Sequence, residues 1–78
     1  MSRTIKLIWD FKGDAAEKTA EHHKVHLEEF GLKEQLPAFN YGVDEISTLH
    51  WIAYITVKEK NVIIVRDALK PHRAEIVE

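Results

Sequence analysis

Apolar and polar residues alternate in the segment TIKLIWDF, which begins at Thr4. Every second residue from Ile5 to Phe11 is apolar, and the residues between them are mixed in character. A period of two residues is typical of a β-strand with one buried face. The pattern therefore predicts a strand from Thr4 to Phe11, which Gly13 interrupts.

Residues 15 to 30 carry apolar side chains at the spacing of an amphipathic helix. Asp14 precedes this segment and Glu17 lies three residues further on, which is the acidic form of a capping box. Gly31 follows the segment and suits the left-handed position that ends many helices. Together these features predict a helix from Ala15 to Phe30.

Thr48–Lys58 is rich in β-branched and aromatic residues and predicts a second strand. The residues from Lys58 to Asn61 are typical of a tight turn in which Asn61 adopts a positive φ. The apolar run after this turn predicts that Val62–Asp67 returns as the antiparallel partner of the second strand. These two strands would form a β-hairpin.

Two further segments are less regular. Residues 32 to 47 contain alternating apolar residues from Phe39 to Val43, which favour a short edge strand. A helical turn at Lys33–Leu36 is the alternative within the same segment. The last residues predict a short terminal strand at Ala74–Val77.

The predicted elements define one α+β domain over residues 1 to 78. It is a two-layer β-α-β-β sandwich with one amphipathic helix on one face of a mainly antiparallel sheet, with extra edge strands where the irregular segments supply them. A ferredoxin-like fold would need a second helix after the hairpin. The residues from Ala68 to Arg73 are too few for such a helix, so the sequence argues against that fold.

Composition and charge argue against two classes of protein, nucleic-acid-binding proteins and membrane proteins. The chain has 78 residues, no cysteine and a formal net charge of −2, with 31% charged residues of both signs. A nucleic-acid-binding surface is normally basic, so we expect no nucleic-acid partner. No apolar run approaches the roughly 20 residues of a membrane helix, and the first residues do not form a signal peptide. We therefore expect a soluble cytoplasmic protein without a cofactor.

One face of the predicted sheet has no predicted cover. In the predicted hairpin register, the face opposite the helix has an apolar centre made of Ile8, Ile52, Tyr54, Ile63 and Val65. A solvated sheet face should be mostly polar, and an exposed apolar patch usually marks a binding surface. We therefore expect a twofold homodimer, unless residues 32 to 47 or the C-terminal tail cover the patch.

Asp10, His50 and Tyr54 are the candidate catalytic residues, and they fall on the same face. A carboxylate, an imidazole and a phenol in a partly apolar setting are suited to proton transfer. The alternative is that they are ordinary cross-strand polar pairs. The basic cluster from Lys70 to Arg73 is either an anion-binding group or a solvated terminus.

His22, His23 and His26 lie close together on the predicted helix. His22 and His26 are four residues apart, so their rings can converge on one ion, and Glu29 could add an oxygen ligand. Zinc sites need three or four protein ligands, and the zinc-protease motif requires glutamate at position 23. These three residues are the metal candidates, with a solvated flank as the alternative. His23 lies on the apolar stripe, where we expect it to pack at the core and hydrogen-bond a neighbour.

The sequence favours a small self-associating interaction module without catalysis. We expect it to form a homodimer, with another protein as a possible additional partner. The first alternative is a small-molecule-binding protein or minor enzyme, with a pocket on the uncovered sheet face or at the dimer seam. The second is a metal binder that uses the histidines of the helix.

Overall fold

The computed structural model describes residues 3–37 and 40–77, which form four strands and two α-helices. The elements are β1 (Thr4–Lys12), α1 (Ala16–Lys33), β2 (Asn40–Ser47), β3 (His50–Lys58), α2 (Val62–Leu69) and β4 (Arg73–Val77). A short 3₁₀ turn at Glu59–Asn61 connects β3 to α2. The α+β fold class is confirmed, as are the predicted strands at the start of the chain and after Thr48.

The four strands form one antiparallel sheet in the order β2-β3-β1-β4. The two most apolar strands, β1 and β3, lie at its centre, where Leu7 pairs with Ile55 and Trp9 pairs with Ala53. The element order β-α-β-β-α-β is that of ferredoxin-like folds. The sequence-based argument against this fold is therefore wrong.

Both helices pack on one face of the sheet, which we call the helix face, and close the core there. Ala20 and Leu27 of α1 and Val65 of α2 are fully buried in one cluster with the odd-numbered residues of β1. The indole N–H of Trp9 donates a hydrogen bond of 2.9 Å to the carbonyl of Leu69 at the end of α2. Neither helix of the described residues is long and apolar enough to cross a membrane.

The predicted hairpin after β3 is wrong, because Val62–Leu69 is helix α2. Asn61 has a φ of −96° instead of the positive φ of the predicted turn. Four consecutive β-branched residues favour a strand by propensity, but Val62, Val65 and Leu69 recur at helical spacing and pack in the core. Burial of this stripe outweighs the local preference, and the second helix uses the residues that the sequence pattern assigned to a strand.

Helix α1 is confirmed, but both of its predicted ends are wrong. It begins after Ala15, and no described side chain caps it, so Asp14 is not the N-cap. Gly31 is buried within the helix, and the positive φ beyond its end belongs to Gln35, at 55°. A Cβ atom at Gly31 would collide with the Tyr41 hydroxyl on β2. This glycine therefore permits α1 to approach β2 closely.

The two edge strands agree with the less regular parts of the sequence. β2 occupies Asn40–Ser47, which confirms the edge-strand alternative for this segment, although Phe39 lies outside the described residues. β4 confirms the predicted terminal strand and begins one residue earlier, at Arg73.

Candidate functional site

A polar network lies on the helix-free face of the sheet, the face opposite the two helices. Asp10 is near the end of β1, while His50 and Arg73 begin the two neighbouring strands. His50 Nε2 lies 2.8 Å from Asp10 Oδ1. Arg73 donates from Nε to Oδ2 of Asp10 at 3.0 Å and from Nη2 to Oδ1 at 3.2 Å. Arg73 thus holds the carboxylate with two parallel charge-assisted hydrogen bonds.

Hydrogen bonds from Arg73 and His50 favour the ionised form of Asp10. The hydrogen bond from Arg73 is the largest cause that lowers the pKa of Asp10 from 3.8 to about 2, His50 lowers it further, and partial burial opposes both. The same hydrogen bond raises the pKa of Arg73. Since an ionised carboxylate only accepts hydrogen bonds, Nε2 of His50 carries the proton that faces Asp10. In the neutral ring, Nδ1 is then the nitrogen that can accept a proton.

Of the three residues considered for proton transfer, Asp10 and His50 are in contact, and among the described residues no hydrogen bond joins Tyr54 to either of them. The Tyr54 ring lies where a Cβ atom at Gly42 would be, so it packs over the backbone of β2. The Lys6 ammonium lies 4.2 Å from the centre of the same ring. A role of this face in proton transfer remains a prediction that rests on Asp10 and His50.

Two isoleucines are buried on the helix-free face beside the polar network. Ile8 and Ile52 are only 1% and 3% exposed, although both described helices lie on the opposite face. Ile8 pairs with Arg73 and Ile52 pairs with Asp10, so the joined charged side chains are placed to extend over both. The apolar centre expected on this face is therefore covered within the chain, which corrects the prediction of an exposed patch.

The other two residues of the expected patch, Ile63 and Val65, lie on α2 and not on the sheet. Val65 is fully buried in the core on the helix face, whereas Ile63 is exposed. Their placement on the helix-free face followed from the hairpin prediction and is wrong for the same reason. Any contact that involves Ile63 must be made by the outer surface of α2.

Exposed apolar side chains occur instead on α2 and β4. Eight large apolar residues of the described chain are exposed, and half of them belong to these two elements: Ile63, Ile64, Ile76 and Val77. All five residues of β4 are exposed. Among the described strands β4 pairs with β1 alone, so backbone N–H and C=O groups on its outer side are open to another strand.

Arg73 and His72 join the network, although the sequence predicted either an anion-binding group or a solvated terminus for this basic cluster. The anion that Arg73 binds is the carboxylate of Asp10 in the same chain. The Nδ1 atom of His72 accepts a hydrogen bond of 2.9 Å from the backbone N–H of Asp10. No sequence pattern indicates these pairs, because they depend on β4 lying beside β1.

The candidate metal ligands on α1 are only partly brought together. The Nε2 atoms of His22 and His26 are 2.9 Å apart, while Glu29 Oε1 lies 3.3 Å from Nδ1 of His26. Glu29 thus contacts the far side of the His26 ring. Within residues 3–37 and 40–77, no group of three or more histidine, cysteine, aspartate or glutamate side chains is arranged to hold a metal ion.

His23 packs against the core, as its position on the apolar stripe predicts. Its ring centre lies 4.8 Å from that of Trp9 and 5.4 Å from that of Phe11. Its Nε2 atom is buried and has no hydrogen-bond partner among the described residues, so the expected bond to a neighbour is not found at this atom. Burial is the largest cause that lowers the pKa of His23, and the nearby His26, His72 and His22 lower it further.

No cavity is found in the described part of the chain. Comparisons of the chain with protein families, with curated proteins and with solved structures gave no match. Three features of the structure therefore point to function: the polar network, the β4 edge and the α1 histidines.

Proposed function

We propose that the protein is a non-catalytic interaction module that associates with a second copy of its own chain through the outer edge of β4. The observation that carries this proposal is the exposure of the whole strand. By its register with β1, β4 presents Ile76 on the helix face and Val77 on the helix-free face. A domain of this size buries a limited share of its surface, and a strand added to an open edge extends the sheet and buries more.

The opposite edge of the sheet is less suited to strand addition. β2 has a register shift between Glu45 and Ser47, and it carries the adjacent acids Asp44 and Glu45. Bulges and charged residues on an edge strand discourage pairing with another chain. β4 runs against β1 without a register shift, and its apolar residues Ile76 and Val77 are exposed.

Charge complementarity favours one register for two β4 strands. Strands related by a twofold axis at this edge run antiparallel. If Ala74 lies opposite Ala74 of the second copy, Arg73 of each chain faces Glu75 of the other. If the axis passes through Glu75 instead, two glutamates face each other. Opposite charges across a strand pair stabilise it and like charges destabilise it, so the proposal includes the register centred on Ala74.

Gel filtration with light scattering at tens of micromolar tests the association. The wild-type chain should have a mass of twice 9.1 kDa. Ile76→Lys should be monomeric, because it places a charge on the edge that the second copy buries. Val25→Lys is the matched control, since Val25 and Ile76 are both 52% exposed but Val25 lies on α1. A wild-type mass of 9.1 kDa, or an Ile76→Lys dimer, would contradict the proposal.

The absence of cysteine allows a direct test of the register. Ala74→Cys introduces a single thiol that should lie opposite its equivalent across the twofold axis, within the separation that a disulfide bridges. Mild oxidation should then yield a covalent dimer. Ala68→Cys on the exposed surface of α2 is the control and should yield far less. Equal yields would reject this register even if the mass indicates a dimer.

The contact between Asp10 and His50 favours a second candidate function, which is binding of a small molecule with proton transfer on the helix-free face. Asp10 orients the ring so that Nδ1 of neutral His50 is free to accept a proton. A thermal-shift screen should then find a ligand whose saturable stabilisation is lost in His50→Ala. Tyr54→Phe should keep it, because among the described residues no hydrogen bond joins Tyr54 to Asp10 or His50. Stabilisation that survives in His50→Ala would rule out this site.

A further inference from the structure

Two imidazole rings face each other on the exposed flank of α1. His22 and His26 lie one helical turn apart, with 2.9 Å between their Nε2 atoms and 4.5 Å between ring centres. The ring planes are nearly perpendicular, at 82°. Both residues are exposed. Two imidazole nitrogens therefore lie side by side where an ion can reach them from solvent.

We infer that His22 and His26 together bind one divalent ion of the late first-row transition metals, with Cu²⁺ and Ni²⁺ favoured over Zn²⁺. Metal–imidazole bonds are about 2.0–2.1 Å long. Two donors 2.9 Å apart then subtend an angle of about 90° at a shared ion. This is the angle between neighbouring ligands in the tetragonal sites of Cu²⁺ and Ni²⁺. A tetrahedral zinc site would need the two nitrogens about 3.3 Å apart.

Glu29 acts on His26 as a positioning residue. Its Oε1 atom lies 3.3 Å from Nδ1 of His26, close enough for its negative charge to favour the ring proton on that nitrogen. With the proton held at Nδ1, Nε2 keeps its lone pair directed towards His22. Metal-binding histidines are commonly oriented by a carboxylate in this way. Without an ion, Nε2–H of His22 donates to Nε2 of His26. For both rings to bind an ion, the proton of neutral His22 moves from Nε2 to Nδ1, which leaves a lone pair on each Nε2.

The site is open on its remaining sides. The described residues supply no third histidine, cysteine or carboxylate in position to complete it, so water occupies the other coordination positions. His23 is the adjacent residue, but its ring packs against Trp9 and Phe11 and is turned towards the core. The two exposed imidazoles are thus the protein ligands, and a bound ion would link two residues that lie one turn apart on α1.

Calorimetric titration with NiCl₂ tests this site in the full chain. Wild type should bind one ion per chain, and His22→Ala and His26→Ala should each weaken binding by at least about tenfold. Glu29→Gln should weaken it by about tenfold through loss of ring orientation. His50→Ala is the control, because His50 lies on the sheet and contacts Asp10. Binding that is unchanged in His26→Ala, or lost in His50→Ala, would overturn the inference.

The choice of ion tests the geometry separately. Cu²⁺ should bind more tightly than Ni²⁺, Zn²⁺ more weakly than Cu²⁺, and Mg²⁺ should not bind. Both copper and nickel should raise the melting temperature of wild type but not that of His26→Ala. Circular dichroism of each variant checks that the helix remains folded. Zn²⁺ binding as tight as Cu²⁺ binding would reject the right-angled arrangement while leaving the two ligands in place.

Discussion

The two faces of the sheet bury apolar side chains by different means. On the helix face, Leu7 is 1% exposed because α1 and α2 pack over it. On the helix-free face, Ile8 is also 1% exposed, but its cross-strand neighbours are Tyr54 and Arg73, and Arg73 is paired with Asp10. The first cover is apolar and depends little on pH. The second includes an ion pair, so it depends in part on the charge state of Asp10 and Arg73. Leu7 and Ile8 are therefore equally buried, although different kinds of side chain surround them.

The largest effects should come from truncation of the two buried side chains. Leu7→Ala and Ile8→Ala should each lower the free energy of unfolding by about 2–5 kcal/mol, because each leaves a cavity in a well-packed site. Urea denaturation measures both. Val25→Ala is the exposed control and should change the value by less than about 0.5 kcal/mol. If Ile8→Ala costs less than about 1 kcal/mol, the ionic network does not exclude water as the helices do.

A smaller effect should follow from removal of the charge at the centre of the network. Asp10 is ionised in the folded chain with a pKa of about 2, compared with 3.8 as its ordinary value. The network therefore stabilises the fold above pH 4, and this stability is lost as the pH falls towards 2. Partial exposure screens the interaction, so Asp10→Asn should cost about 1 kcal/mol at pH 7. Between pH 4 and pH 2, the free energy of unfolding of this variant should fall much less than that of wild type.

Asp44→Asn is the matched control for this effect on the same face. Asp44 Oδ2 lies 3.9 Å from Lys6 Nζ, and its side chain is about half exposed. An exposed ion pair of this kind contributes little, so the change should be within about 0.5 kcal/mol. The acid-induced decline should remain as in wild type. If Asp44→Asn removes as much of that decline as Asp10→Asn, general surface charge and not the Arg73 contact is responsible.

The same contrast explains how far the sequence could predict the structure. The alternation in β1 and the helical spacing in α1 are local patterns, and both elements are found where those patterns place them. Val62–Leu69 is the exception, because its β-branched run favours a strand and only burial of Val65 under tertiary packing selects the helix. The hydrogen bond from Arg73 to Asp10 joins residues that are 63 positions apart in the chain. No local pattern encodes such a pair before the strand order is known.

The smallest effect should appear on the helix face, in a different pH range. Burial lowers the pKa of His23 below 6.5, so the folded chain favours the neutral ring. The unfolded chain binds a proton at His23 more readily than the folded chain does. The contribution of His23 to the free energy of unfolding is therefore fully present above pH 6.5 and declines as the pH falls below it. The effect should be smaller than that of Asp10, because its main cause is the partial burial of the ring and not a charge-assisted hydrogen bond. Thermal melting between pH 7.5 and pH 5 measures it.

His23→Leu should flatten this part of the pH profile, since a leucine can fill the site against Trp9 without taking up a proton. His26→Gln is the control: it removes one neighbouring imidazole but leaves the burial of His23, which is the larger cause, unchanged. It should therefore keep most of the decline. If His26→Gln flattens the profile as fully as His23→Leu does, repulsion among the α1 histidines sets the pH response. The helix face would then share the dependence on charge that otherwise distinguishes the helix-free face.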